Sequence, residues 1–315
     1  MTPAPGQGEK KPVLAVLGAT ATGKTALAIS LAERFGCEIV NCDSRQIYDE
    51  MRIGTASPTD EELARVPHHL FNFLCPAQTF SAADYAARAA ASIREIWAGG
   101  RVPLLTGGTG FYYAALAEGL GEAGHNANRA IELRELAEKN GHDSMVAMLL
   151  GLDQAAGATV DLLNPRRVLR AIEIVETTGQ PFAANCPKPL LAEAEFMPVV
   201  VTRPRPVLHA AIERRVDEMI AAGLAGEVRH LSEKYGLTAG GLNSIGYHEW
   251  LPHFAGDCSA AAVRELIIIH TRQYARRQEI WFRRRPGVPL ADPGEPEQFA
   301  AIFLKVAAFL NKFGL

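Results

Sequence analysis

Gly18-Ala-Thr-Ala-Thr-Gly-Lys24-Thr25 has the spacing GxxxxGK[ST]. It follows the apolar run Val13 to Leu17 directly and leads straight into a helix-like stretch, Lys24 to Phe35. Such a loop suits phosphate. Its glycines let backbone N–H groups turn toward phosphate oxygens, and the helix N-terminus adds a favourable dipole. A lysine supplies a positive charge, and a threonine hydroxyl can ligate Mg2+. Gly18, Ala19, Thr20, Ala21, Thr22, Gly23, Lys24 and Thr25 are therefore candidate polyphosphate-binding residues, with Thr25 the candidate metal ligand. A glycine turn packed on its helix, with Lys24 at the surface, is the plainer alternative. Nucleoside triphosphate is the usual occupant of such a loop, but the cradle itself recognises only a polyphosphate.

Asp43 follows a second apolar run, Glu38 to Asn41. In a parallel sheet it emerges at the same edge as the phosphate loop. There its carboxylate can bind Mg2+ through water or take a proton from a nucleophile attacking the phosphate ester. It can equally close an Asx turn. His68 and His69 are adjacent, so on a strand or helix they point apart, and without two further ligands they make a poor zinc site.

Positioning these groups calls for strands that alternate with helices. Short apolar runs at Val13 to Leu17, Glu38 to Asn41 and Val102 to Thr106, each followed by a turn, predict a parallel α/β sheet of P-loop type flanked by helices. A helix is expected from Phe111. Beyond about Gly121 the β-type runs stop and helical patterns take over at Ala130 to Lys139, Ser144 to Leu150 and Pro165 to Thr177. A strand pattern returns at Phe196 to Val201, and further helices are expected over Pro206 to Ala222 and Ala261 to Arg284. The expected organisation is a disordered leader at 1–11, an α/β core formed by 12–120 and 195–315, and a helical insertion at 121–194.

The 315 residues carry 32 basic and 35 acidic side chains, a formal charge of −3, which excludes polybasic coating of nucleic acid but not a local basic surface. One such surface is suggested by Arg264, Arg272, Arg276, Arg277, Arg283, Arg284 and Arg285, opposed along the same stretch only by Glu265 and Glu279. The ordinary reading is an amphipathic helix with a solvated arginine face, and Leu266, Ile280 and Trp281 read as core. No apolar run reaches the roughly 18 residues of a membrane helix. Cys37, Cys42, Cys75, Cys186 and Cys258 include no CxxC pair, which argues against a disulfide framework or zinc site and fits the reducing cytosol.

GATATGKT, DSRQIY (Asp43 to Tyr48), IGTASP (Ile53 to Pro58), PHHL (Pro67 to Leu70), PLLTGGTGFY (Pro103 to Tyr112), RRVLRAIE (Arg166 to Glu173), SIGYHE (Ser244 to Glu249) and RQYARRQ (Arg272 to Gln278) occur in that order. Together they closely resemble the bacterial tRNA dimethylallyltransferase family, the isopentenyl transferases that modify the adenosine 3′ to the anticodon. The resemblance runs from about Val13 to Arg285. It implies that the loop grips dimethylallyl diphosphate rather than ATP, that Mg2+ assists, and that the prenyl group passes to the adenine N6 amine with Asp43 as general base. It also implies that Thr109 holds the adenosine and Arg215 assists the diphosphate. By the same resemblance tRNA would be met by Asp43, Ser44, Arg45, Gln46 and Thr109; by Arg167, Val168, Leu169, Arg170 and Ala171; by Asn243, Ser244, Ile245, Gly246 and Tyr247; and by Arg272 and Arg276. The implied partner is the tRNA anticodon stem-loop; a cytoplasmic location and a monomer are the default expectations.

The chain departs from the family pattern at Ala19, Asn72, Asn164 and Gly110-Phe111, and it lacks a proline-rich stretch between Gly121 and Asn128. Competing readings are a P-loop kinase for a small acceptor, a prenyltransferase acting on free adenylate, and an RNA-binding module without chemistry.

Overall fold

The structure, a computed structural model, describes residues 9–121, 126–185, 187–285 and 290–315. Cys186, most of the expected leader and part of the Gly121 to Asn128 segment lie outside the described residues. The chain divides into two compact units, Met1–Ala117 with Leu190–Leu315, and Glu118–Pro189.

In the first unit the strands are β1 (Lys11–Gly18), β2 (Cys37–Asn41), β3 (His68–His69), β4 (Val102–Gly107), β5 (Ala194–Val201) and β6 (Leu290–Ala291). They form a six-stranded sheet in the order β3-β2-β4-β1-β5-β6, and every pairing is parallel. β1 and β4 are near-continuous apolar runs because helices cover both of their faces. β1 starts earlier than expected: Lys11 pairs with Ala194, so it belongs to the sheet and not to a leader. Parallel pairing brings the ends of β1, β2 and β4, at Gly18, Asn41 and Gly107, to one edge, and the glycine loop, Asp43 and Thr109 follow there.

The helices of this unit are α1 (Lys24–Phe35), α2 (Asp60–Arg65), α3 (Ala82–Ala98), α4 (Gly110–Ala117), then α9 (Arg205–Ala221), α10 (Leu224–Tyr235), α11 (Trp250–Ala255), α12 (Ala260–Arg283) and α13 (Pro296–Asn311). α1 opens on Gly23 and closes on Gly36, both left-handed, as expected of a tight loop and a helix stop. α2 and α3 begin in capping boxes, Thr59 with Glu62 and Ser81 with Asp84. One apolar cluster joins the sheet to α1 and α13 through residues such as Leu14, Leu27, Ile39, Val199 and Val306. Another, centred on Ile212, Val228, Tyr247 and Ile267, packs α9, α10 and α12 with the segment around Ile47.

The second unit holds α5 (Ala127–Asn140), α6 (His142–Leu152), α7 (Ala156–Thr159) and α8 (Pro165–Thr178) around its own core of Leu133, Leu149, Val168 and Ile172. Asn164 caps α8 through the N–H groups of Arg166 and Arg167, so asparagine serves there as an aspartate would. Leu120 pairs with Lys188, which closes the two ends of this unit on each other. Glu193 instead accepts from the N–H of Lys11 and from Arg94, placing the approach to β5 with the sheet.

Candidate active site

A cavity of about 350 Å3 lies in the first unit at the C-terminal edge of the sheet. Thr20, Lys24 and Thr25 line it, as do Asp43, Arg45 and Gln46, Arg215, the turn Asn243 to Gly246, and Tyr274 and Arg277. The glycine loop and the carboxylate expected to work with it therefore face one space. Ile212, Val216, Met219, Ile245 and Ile267 give part of that space an apolar wall.

The loop is held from several directions. Lys24 Nζ donates to the Ala19 carbonyl at 2.6 Å, and the Thr22 hydroxyl donates to the same oxygen at 2.8 Å. Ala19 is buried, and its carbonyl serves as the anchor. Ala21 takes a φ of 61°, unusual for a residue with a Cβ, so the tight path here does not depend on glycine alone. Gly18 has no such freedom: a Cβ there would lie 2.3 Å from the Val201 carbonyl oxygen. α1 receives no side-chain cap, which leaves its first amides, beside Lys24 and Thr25, suited to an anion.

Asp43 is set by Asn41, a buried residue that sequence reasoning missed. Asn41 Oδ1 accepts from the Asp43 N–H at 2.9 Å, while its amide donates to the carbonyls of Asp43 (3.1 Å) and Leu70 (2.9 Å). Asp43 Oδ1 also accepts from the Arg45 N–H at 2.9 Å, so the Asx turn and the cavity-facing role coexist. Thr109 Oγ1 accepts from the Ser44 N–H at 2.9 Å and donates to the Ser44 hydroxyl at 3.2 Å; the Thr109 carbonyl accepts from Tyr112 and Tyr113 at the start of α4. The hydroxyl thus ties the β4 loop to the β2 loop.

Charge is concentrated here. Burial pulls Lys24 down to about 8, with Arg215 adding to that and the Asp43 carboxylate opposing it. Burial also lowers Arg215, again against Asp43. Arg215 donates to the Thr20 hydroxyl at 3.1 Å and toward the Thr55 carbonyl at 3.5 Å. Tyr274 is pushed up to about 12 by burial and by Asp43.

Long-range clamps, invisible to local pattern, shape the walls. Gln278 accepts from the Thr20 N–H at 3.0 Å and donates to the Gly108 carbonyl at 2.8 Å, joining the two glycine loops. Glu227 accepts from the N–H groups of Arg52 (3.0 Å), Ile53 (2.9 Å) and Gly54 (3.1 Å) and from the Tyr247 hydroxyl (2.6 Å). It thereby fixes the segment that carries Thr55. Gly54 lies so close to the Tyr247 ring that a Cβ would come within 2.4 Å. Gln46 donates to the carbonyls of Thr55 and Ala56. Buried Glu249 accepts from the Gly246 N–H at 2.8 Å and lies 2.7 Å from His270 Nδ1 and 3.2 Å from His248 Nε2, bracing the turn that lines the cavity.

Several expected tRNA-contacting residues take other positions. Val168 and Ala171 are core residues of the helical unit and offer no side chain to a ligand; Leu169 packs against the same core. On α8, Arg167 is exposed near Asp161 at 3.7 Å, and Arg170 pairs with Glu173 at 2.7 Å. Tyr247 is fully buried, and the Ser244 hydroxyl is turned to the Gly241 carbonyl, although Ser244 still lines the cavity.

The arginine strip is shorter than the sequence suggests, because acids on α9 face part of it. Arg264 pairs with Asp217 and Glu265, and Arg272 pairs with Glu213. Arg276 and Arg277 are exposed, while Arg285 lies over the Trp281 ring at 4.2 Å, beyond the end of α12. Leu266 and Ile280, expected in the core, are exposed because the buried face of α12 runs through Val263, Ile267, Ala275, Gln278 and Phe282. His69 Nε2 lies 2.7 Å from Glu38, and His68 Nδ1 lies 2.8 Å from the Val66 carbonyl. Asn72 adopts a φ of 47°, which suits asparagine.

A family model described as IPP transferase matches residues 46–285. The chain is 40% identical over 302 residues to a tRNA dimethylallyltransferase of Roseiflexus sp. (strain RS-1), covering 93% of this chain and 98% of that protein. It is 40% identical over 307 residues to a tRNA dimethylallyltransferase of Geobacter metallireducens, covering 96% and 99%. Among solved structures, the full-length tRNA isopentenylpyrophosphate transferase of Bacillus halodurans is similar with a TM-score of 0.70 at 32% identity, covering 96% of this chain and 98% of that one. A eukaryotic dimethylallyltransferase acting on tRNA shares the fold, with a TM-score of 0.77 at 23% identity over 96% of this chain and 79% of that one.

Proposed function

The chain belongs to the IPP transferase family and is an enzyme that prenylates tRNA, and we propose that its cavity joins dimethylallyl diphosphate to the N6 amine of the adenosine 3′ to the anticodon. One observation carries this reading: Lys24, Thr25 and Arg215 share a single cavity with Asp43. The first group suits a departing diphosphate. The carboxylate suits a nucleophile that must lose a proton.

In the proposed step the allylic carbon–oxygen bond breaks, a carbon–nitrogen bond forms, and the amine proton passes to Asp43. Negative charge grows on the leaving diphosphate, where the first amides of α1, Lys24 and Arg215 stabilise it by preorganised electrostatics. The Thr25 hydroxyl, with diphosphate oxygens, would hold Mg2+, which supplies charge neutralisation of the leaving group. The apolar wall around Ile212 and Ile245 fits the prenyl tail. The target adenine must leave its stack to enter, at a cost of a few kcal/mol recovered by contacts with the pocket. Thr109, Ser44 and the Asn243 to Gly246 turn are proposed to hold it. Arg167, Arg170, Arg276 and Arg277 are proposed phosphate contacts, and Arg272, engaged by Glu213, a weaker one.

We read the enzyme as cytoplasmic, because its acceptor is tRNA, and propose a monomer. Among the described residues no helix is long and apolar enough to cross a membrane. Nucleoside analysis of unmodified tRNA tests the reading. After incubation with protein, Mg2+ and dimethylallyl diphosphate, N6-isopentenyladenosine is expected. Its absence, with phosphate transfer from ATP to a small acceptor in its place, would favour a kinase.

A further inference from the structure

A second recess, of about 370 Å3, opens beside the phosphate loop and is lined by Gly23, Lys24, Thr25, Arg203, Arg214 and Arg215 among others. Arg203 follows β5. Its Nε is buried, and among the described residues no hydrogen-bond partner reaches it. A Cβ on Gly23 would lie 3.2 Å from Arg203 Nη2 and 3.8 Å from Cζ, so the guanidinium rests on the residue that opens α1. Gly23, at a φ of 91°, has both the conformation and the bareness this approach requires.

Glu62 and Glu218 also line the recess, and Glu218 lies 3.8 Å from Arg214. Among the described residues no ion pair joins Arg203 to either acid. A buried guanidinium N–H without an acceptor is destabilising. An anion seated on the first turn of α1 would meet the Nη2 end of that guanidinium, and the neighbouring amides, Lys24 and Arg215 already favour one there.

We propose that Arg203 is a further binding residue for the diphosphate, its guanidinium donating from Nη2, the end that rests on Gly23, to a diphosphate oxygen at the first turn of α1. The proposal rests on the prenyl-transfer reading for the identity of the ligand. A guanidinium is suited to this role because its planar fork can engage phosphate oxygens at two points, whereas an ammonium offers a point charge.

Calorimetric titration of inorganic pyrophosphate, with Mg2+, into the whole protein tests it. Arg203→Gln is expected to weaken pyrophosphate about tenfold or more, with Arg203→Lys between it and the parent. KM for dimethylallyl diphosphate should rise in parallel, while KM for tRNA and Tm stay near their parent values. Pyrophosphate affinity within about twofold of the parent in Arg203→Gln overturns the proposal, and a lowered Tm with unchanged affinity would mean that Arg203 only packs on Gly23. Should Arg203→Gln fail to fold, Arg203→Lys alone decides: a loss of about threefold or more supports the assignment and none overturns it. Parent protein that binds pyrophosphate yet prenylates no tRNA would defeat the reaction reading and leave this one standing.

Discussion

Asp43 faces the cavity with one carboxylate oxygen engaged by the Arg45 amide. Asn at this position keeps that acceptor and the Asx turn but cannot take a proton. Asp43→Asn is therefore expected to lower kcat by about 10²- to 10⁴-fold, with pyrophosphate affinity and Tm little changed. Single-turnover transfer beside a thermal melt checks this, and retained turnover would remove Asp43 from the base role. Lys24 gives a pH signature. Burial holds it at about 8, so in the substrate-free protein its positive charge is present below that pH and lost above it. Pyrophosphate affinity should fall as pH rises through about 8, and Lys24→Gln should abolish that inflection. At this scale the sequence was most legible. A phosphate loop is contiguous, so Gly18 to Thr25 announce themselves. Asn41, which sets the Asp43 backbone, looks like any strand-end polar residue until its bonds to Asp43 and Leu70 are seen.

Elements carry the next layer. β1, β2 and β4 were readable as apolar runs, and parallel pairing followed from the helices between them. α3 was not expected, although the Ser81 and Asp84 capping box marked its start and Tyr85, Ala86, Ala89, Ala90, Ile93 and Ile96 recur at helical spacing on its buried face. Nor could the walls be read, since Glu227 holds Arg52 to Gly54 across more than 170 positions of sequence. Glu227→Ala leaves those amides and the Tyr247 hydroxyl without their acceptor. It should cost about 1–3 kcal/mol of stability in a denaturant melt. It should also raise KM for dimethylallyl diphosphate, because the Thr55 carbonyl that orients Arg215 is released. Unchanged stability would mean that the clamp contributes nothing to the fold.

Across the molecule, a net charge of −3 leaves tRNA binding to local cations. The sequence showed the arginines of α12 but not their partners, because Asp217 and Glu213 come from α9, packed alongside. Exposed Arg276 is the better candidate for an RNA phosphate. Arg276→Ala should weaken tRNA binding and reduce the slope of log K against log salt by about 1, without altering pyrophosphate affinity. An unchanged slope would place the RNA elsewhere.

Supplying the protein and Mg2+ with prenyl-labelled dimethylallyl diphosphate, and letting unmodified tRNA and free AMP compete as acceptors, tests the central claim most directly. Label should collect on the adenosine 3′ to the anticodon and require Asp43. Equal labelling of AMP, or label that never leaves the diphosphate, would contradict the account.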